Sequence, residues 1–342
     1  MENDYFGFSL WHDLFAGNLD WMQSMAIDSP ASFDPEEDGW DIIFSRLEQV
    51  LKESGLEGKL GGCFHVSREV AAMHADPRFQ LLQGFDRARK KFMDKIPFEL
   101  GMHCKFGADD LPLAGNYPAV LAEDLQLAGV MGASCIVCHP PKGMVDMTDA
   151  FIKELTSDAV IDALSATNTL LAWENEGPDC FFGSLSHLLS FRESLTKQLD
   201  ELGRNDLVER HVFCLDTGHL LYWRDRGILG KLRATEDIDG ILPLFAQKIK
   251  VFHIHSNDGT ADQHLTPGSF DLFDHPNRVD VNRKKFAENS QDVTSFLQVC
   301  EDYKSIAGRH VHIEALKLPF TLSQLAGYGR EYQSNINLTS KV

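Results

Sequence analysis

Nine side chains able to hold a metal cation stand at or just after the ends of six short apolar runs. The runs are Phe98–His103, Cys135–His139, Leu170–Glu174, Val212–Asp216, Val251–His255 and Val311–Glu314. They end on His103, His139, Glu174, Asp216, His255 and Glu314 in turn. His219 follows Asp216 by three residues, and Asp262 and His264 follow His255 within a glycine-containing loop. Imidazoles mixed with carboxylates suit Zn²⁺, with Mn²⁺ or Fe²⁺ as the other candidates, whereas an all-oxygen set would point to Mg²⁺ or Ca²⁺. Burying so many ionisable groups with no cation between them would be costly. Carboxylates are the natural bridging ligands, since each carries two acceptor oxygens.

Such residues need a scaffold that brings distant chain positions to one rim. In a strand, residues i and i+2 share a face. Val137 with His139, Ala172 with Glu174, Cys214 with Asp216, and His253 with His255 therefore point the same way, as do His310, His312 and Glu314. Strand-like and helix-like stretches alternate along the chain, which predicts βα units and a parallel sheet. Strands are expected at Tyr5–Trp11 and Lys59–Val66 and at the six runs, giving a count of eight. Helices are expected over Asp41–Ser54, Arg78–Asp94, Thr148–Ala166, Leu185–Leu202, Thr235–Gln247, Val293–Ile306 and Leu322–Tyr332. Asp28–Asp38 is expected as a loop. The fold class is a single (β/α)₈ TIM barrel spanning 1–342, with long βα loops, chiefly Ser256–Gln291, over the C-terminal mouth.

The chain has 342 residues, enough for one large core, with 43% hydrophobic and 24% charged residues. No apolar run approaches the ~20 residues of a membrane span, and the acidic start Met1–Tyr5 lacks a signal peptide's basic region. Seven scattered cysteines fit buried apolar positions in a reducing compartment, so a cytoplasmic location is expected. A formal net charge of −19 disfavours duplex DNA, whose binding draws on Lys and Arg meeting phosphates. It suits a mouth whose carboxylates need cations for balance. Nothing in the sequence sets the oligomeric state.

The segments Met102-His103, Cys138-His139-Pro140, Trp173-Glu174-Asn175, Cys214-Leu215-Asp216-Thr217-Gly218-His219, His255-Ser256-Asn257-Asp258, Asp262-Gln263-His264 and Ile313-Glu314 resemble the xylose-isomerase-like TIM-barrel superfamily. Within it they are most similar to the endonuclease IV branch of apurinic-site nucleases (AP endonuclease family 2). The resemblance covers about residues 95–320 in order, and the N-terminal third diverges. It implies three zinc ions: one on His103, His139 and Glu174; one on the bridging Glu174 with Asp216, His255 and Glu314; one on His219, Asp262 and His264. It further implies hydrolysis of a phosphoester by hydroxide that the metals generate near neutral pH. Of the candidate catalytic residues, Glu174 or Glu314 would orient or deprotonate the attacking water, and Lys142 and Lys317 are candidates to contact substrate phosphate. The expected substrate is a phosphorylated small molecule or a nucleic-acid fragment. The sugar isomerases and epimerases of the same superfamily resemble only part of this set. They hold one metal on counterparts of Glu174, Asp216, His255 and Glu314, and use the two glutamates as acid and base. That alternative leaves His103, His139, Asp262 and His264 without a role.

Other conspicuous residues have plainer readings. His253, His310 and His312 fall below the mouth and are expected to pack or to support ligands. His12 and His65 end the two earliest strands, where lining the pocket and packing are equally good readings. Cys135 and Cys138 are three apart in a strand and must face opposite sides. Trp21, Trp40 and Trp223 fall in expected loops, where core or lid packing is commoner than stacking on substrate. The acidic runs Asp34–Asp38 and Asp109-Asp110 are read as solvated loop faces.

Overall fold

The computed structural model describes residues 4–10, 35–75, 83–104, 113–141, 149–176, 182–220, 238–255, 257–259, 284–285, 287–289 and 308–313. Eight parallel strands close a barrel in chain order: β1 (Tyr5–Leu10), β2 (Gly61–Ser67), β3 (Phe98–His103), β4 (Cys135–Cys138), β5 (Leu170–Glu174), β6 (His211–Asp216), β7 (Ile249–Ile254) and β8 (His310–Ile313). Closure is by pairing of β8 with β1, Tyr5 opposite His310. It is locked by Arg309, whose backbone N–H and Nη2 donate to the two oxygens of buried Asp4 at 2.9 and 2.8 Å. Helices between the strands are α1 (Pro35–Glu53), α2 (Arg68–Ala75), α3 (Gln83–Met93), α4 (Tyr117–Met131), α5 (Asp149–Leu155), α6 (Asp158–Ala166), α7 (Leu185–Glu201) and α8 (Ile238–Ala246). Among the described residues no helix is long and apolar enough to cross a membrane.

Strand alternation sorts the side chains. Phe64, Leu100, Ile136, Trp173, Phe213 and Phe252 face outward into the main core beneath the helices. Cys135, Val137, Ala172, Val212, Cys214 and Val251 form a separate apolar patch inside the barrel. Cys135 and Cys138 thus lie on opposite sides of β4, as the strand period requires. Cys63, Cys104, Cys135, Cys138 and Cys214 are all buried, and none of them is in a disulfide.

Several expected boundaries shift. Residues 35–38 of the acidic run are not loop but the opening of α1, where proline at the start and acidic residues in the first turn suit a helix N-terminus. Trp40 is likewise in α1, buried edge-on to Phe85 at 4.7 Å, and cannot reach a substrate. The Thr148–Ala166 stretch divides at Thr156-Ser157 into α5 and α6. Two helices are additional to those expected: α2, which follows β2 without a loop, and α4. The expected helices at Val293–Ile306 and Leu322–Tyr332, and the residues His12, Trp21, Trp223 and Asp109-Asp110, lie outside the described residues.

Candidate metal centre

Six of the nine expected ligands fall within the described residues, and all six converge on the C-terminal ends of β3 to β7. Asp262, His264, Glu314, Lys142 and Lys317 lie outside them. Glu174, the last residue of β5, is at the centre and fully buried. Its Oε2 lies 3.0 Å from His139 Nε2 and 3.6 Å from His103 Nε2, and those two nitrogens are 3.5 Å apart. Its Oε1 accepts a hydrogen bond from His253 Nδ1 at 2.9 Å.

The other ring nitrogens fix what faces Glu174. His103 Nδ1 donates to the Cys104 carbonyl at 3.2 Å, and His139 Nδ1 donates to Glu176 Oε1 at 3.1 Å. A neutral imidazole with its proton on Nδ1 presents a lone pair at Nε2. With both rings neutral, two lone pairs and a carboxylate oxygen would face one another around buried Glu174 Oε2, an arrangement that draws in a proton or a cation. Burial alone would lower the pKa of His139. The charge of Glu174, helped by Glu176, instead raises it well above the ordinary imidazole range. Burial likewise works against Glu174, yet His253 and His139 hold its pKa well below the usual carboxylate value. A positive charge belongs at this point. A tetrahedral zinc site with bonds of about 2.0–2.1 Å places its ligand atoms about 3.3–3.5 Å apart, and the observed triangle has edges of 3.0, 3.5 and 3.6 Å.

A second group adjoins the first. Asp216 at the end of β6 has His255 Nε2 at 2.9 Å from each of its two oxygens, and its Oδ1 accepts the His219 backbone N–H at 2.7 Å. His219 Nδ1 donates to the Asn175 carbonyl at 2.6 Å, which leaves its lone pair on Nε2. His219 Nδ1 is 3.9 Å from Glu174 Oε1 and 3.8 Å from Asp216 Oδ1, so the two groups share one rim. Gly218 owes its residue type to its neighbour. A Cβ there would lie 1.8 Å from His255 Cε1, so only glycine leaves room for that imidazole.

Supporting residues hold both groups in place. The Asn175 side chain donates to the Asp216 carbonyl at 3.0 Å and accepts the Asp216 N–H at 2.8 Å. Thr217 donates to the His255 carbonyl at 2.9 Å, Asn257 donates to the Gly218 carbonyl at 2.8 Å, and Tyr117 donates to the His139 carbonyl at 2.7 Å. His253, expected to pack or to support, supports Glu174 directly and could also offer a ligand atom. Glu176 joins this group through His139 without having been expected from the sequence; its one signal there is its position two residues beyond Glu174. His65 does not end its strand. It lies inside the barrel, two residues before the end of β2, against His310.

No protein-family model matches the sequence, and a comparison with curated proteins finds no match. Among solved structures, endonuclease IV from Thermus thermophilus aligns at 15% identity over 98% of this chain and 99% of that chain, TM-score 0.46. An L-ribulose 3-epimerase aligns at 10% identity over 97% and 96%, TM-score 0.48. A xylose isomerase domain protein from Planctomyces limnophilus aligns at 11% identity over 100% and 99%, TM-score 0.46. The barrel assignment rests on strand order and register, and the chemistry on the side chains described above.

Proposed function

We propose that this chain is a metal-dependent hydrolase of phosphoesters. One observation carries the reading: His103 and His139 aim their Nε2 atoms at the same buried oxygen of Glu174. That makes a cation position beside the one that Asp216 and His255 would form. A sugar isomerase of the resembling type needs only the latter, and would need Glu174 to move protons at a sugar carbon. Here Glu174 Oε1 accepts from His253 and Oε2 faces the two imidazoles, so the hydrolase reading gives His103 and His139 a role that the isomerase reading does not.

The set would hold two or three cations of the zinc class, with Mn²⁺ or Fe²⁺ as alternatives. Glu314, Asp262 and His264 would complete it. Bound there, the cations would supply Lewis-acid polarisation of a phosphoester and an acidified water. The chain's own contribution is positioning. Glu176 and Cys104 set the tautomers of His139 and His103, Asn175 and Thr217 fix Asp216 and His255, and Glu174 or Glu314 orients the attacking water. Lys142 and Lys317 would meet the phosphate. The net charge of −19 favours a phosphorylated small molecule or a nucleic-acid fragment over duplex DNA.

The test combines metal analysis of the purified chain with two assays, one on a chromogenic phosphodiester and an abasic-site oligonucleotide, the other on a panel of ketoses for epimerisation. The wild type should hold more than one ion at the mouth, counted as the ions that remain in Cys135→Ser, and hydrolyse a phosphoester, and His139→Ala should abolish that hydrolysis. A single tightly held ion at the mouth, with epimerase activity that survives His139→Ala, would replace the hydrolase reading by the isomerase one.

A further inference from the structure

A second cluster of ligand atoms lies inside the barrel, below the mouth. His65 on β2, Cys135 on β4 and His310 on β8 each turn a donor atom into one space, all three within 4.8 Å of one another. His65 Nε2 is 2.9 Å from His310 Nδ1, and Cys135 Sγ is 3.7 Å from the same nitrogen. We propose that these three residues bind a zinc-class cation separate from those of the mouth.

Four features support the proposal. The first is spacing on the sulfur side: bonds of about 2.1 Å to nitrogen and about 2.3 Å to sulfur put tetrahedral N···S neighbours about 3.6 Å apart, and Cys135 Sγ is 3.7 Å from His310 Nδ1. The two imidazoles, now at the hydrogen-bond distance of 2.9 Å, would separate by about 0.4 Å around a cation. The second is the support behind His310. Its Nε2 donates to Glu99 Oε2 at 2.7 Å, and Glu99 is held by the Ser134 hydroxyl at 2.6 Å and by Lys250 at 3.4 Å. A carboxylate behind a ligating imidazole fixes its tautomer and raises its basicity. His310 then offers Nδ1 to the cluster as a lone pair. The third is room. Gly101 stands between His65 and Cys135 in register, and a Cβ there would fall 2.3 Å from His65 Nε2. The fourth is isolation: all three residues are buried, so solvent does not compete for them.

The metal-free arrangement is coherent too. With Glu99 holding the Nε2 proton of His310, His65 Nε2–H donates to His310 Nδ1. Cation binding replaces that hydrogen bond. The His65 proton moves to its Nδ1, and the Cys135 thiol releases its proton as thiolate. A soft ligand distinguishes this site, because every mouth candidate is an imidazole or a carboxylate.

Cobalt reports on the difference. The full chain loaded with Co²⁺ should show a near-ultraviolet thiolate-to-cobalt charge-transfer band. That band should vanish in Cys135→Ser and in His65→Gln, which leaves every thiol in place. It should persist in His139→Ala, which damages the mouth, and in Cys104→Ser, which removes the thiol next to His103. Metal analysis should give one ion fewer per chain in Cys135→Ser. X-ray absorption of the zinc-loaded wild-type chain needs no variant, and should show sulfur scattering at about 2.3 Å. A folded, cobalt-saturated wild-type chain with no thiolate band, or a band that survives Cys135→Ser, would overturn the proposal, as would zinc edges showing only nitrogen and oxygen.

Discussion

Adding one methyl group at Gly218 should disable the centre without replacing any candidate ligand. A Cβ built there lies 1.8, 2.1 and 2.4 Å from three atoms of the His255 ring, against an ordinary contact of 3.4–4 Å. The ring must therefore retreat by about 1.6 Å. His255 is fully buried, and its Nε2 is 2.9 Å from both oxygens of Asp216, so a shift of that size breaks the pair. A misplacement of about 1 Å at a reacting centre can cost about 100-fold in rate, and overpacking a core costs about 1–3 kcal/mol. Gly218→Ala should accordingly remain folded with a lowered Tm, bind its cations more weakly, and lose about 100-fold in phosphodiesterase rate. Gly115→Ala is the control, since nothing lies within 4 Å of its Cβ. Metal analysis, a thermal melt and the chromogenic assay read the three quantities. A folded Gly218→Ala chain with wild-type cation affinity and rate would show that His255 takes no part in the centre.

Glu176→Gln keeps an acceptor for His139 Nδ1–H, now 3.1 Å from a carboxylate oxygen, but removes the charge. Cation affinity measured by chelator competition should fall about 10–100-fold with the fold intact, and an unchanged affinity would remove Glu176 from the support of His139. A second prediction concerns acid stability. Burial, then Arg192 and Arg210, hold the His211 imidazole down to about 3 from 6.5, while its Nδ1 accepts from Trp173 at 3.1 Å. Because the folded chain refuses a proton that the unfolded chain takes, this residue's stabilisation is full above about pH 6.5 and is lost as pH falls toward about 3. Urea titrations with chelator present should show the wild type losing on the order of 2 kcal/mol more than His211→Gln between about pH 7 and about pH 5. Parallel losses would refute it.

The strands and the candidate ligands at their ends are legible in the sequence because two signals coincide there: an apolar run, and a polar residue at its last inward position. Glu174 and Asp216 are the clearest cases. Helix α4 is not legible, because Tyr117–Met131 spreads apolar residues around its circumference with no marked face. It also buries Asp124, which pairs with Arg68 at the start of α2, far away in sequence. Glycine roles are legible only in part. A turn explains many glycines, but Gly218 and Gly101 have their residue type set by imidazoles from other strands. The inner cluster is invisible for the same reason. Which lumen positions of β2, β4 and β8 meet depends on barrel register, and no local pattern encodes it.

The lumen itself departs from the branched apolar layers usual in such barrels. Strands β4 to β7 supply an apolar half, from Val137 round to Val251. The opposite half carries His65, Glu99, His103 and His310, with Gly7 and Gly101 beside them. Glycine and imidazole compensate in volume: at Gly101 a Cβ would strike the His65 ring, as at Gly218 it would strike His255. Close packing then makes an added methyl as disruptive as a lost ligand. A polar column also runs from that half up to Glu174 at the mouth. Glu99 holds His310 at 2.7 Å, His310 and His65 have ring centroids 5.1 Å apart, His65 and His253 5.9 Å, and His253 reaches Glu174 at 2.9 Å. In an interior of low dielectric, a charge gained or lost at one end of such a column is felt along it. Occupancy of the inner cluster should therefore alter cation affinity at the mouth. Comparing cation binding at the mouth in wild type and Cys135→Ser measures that coupling, and equal affinities would mean that the column is only packing.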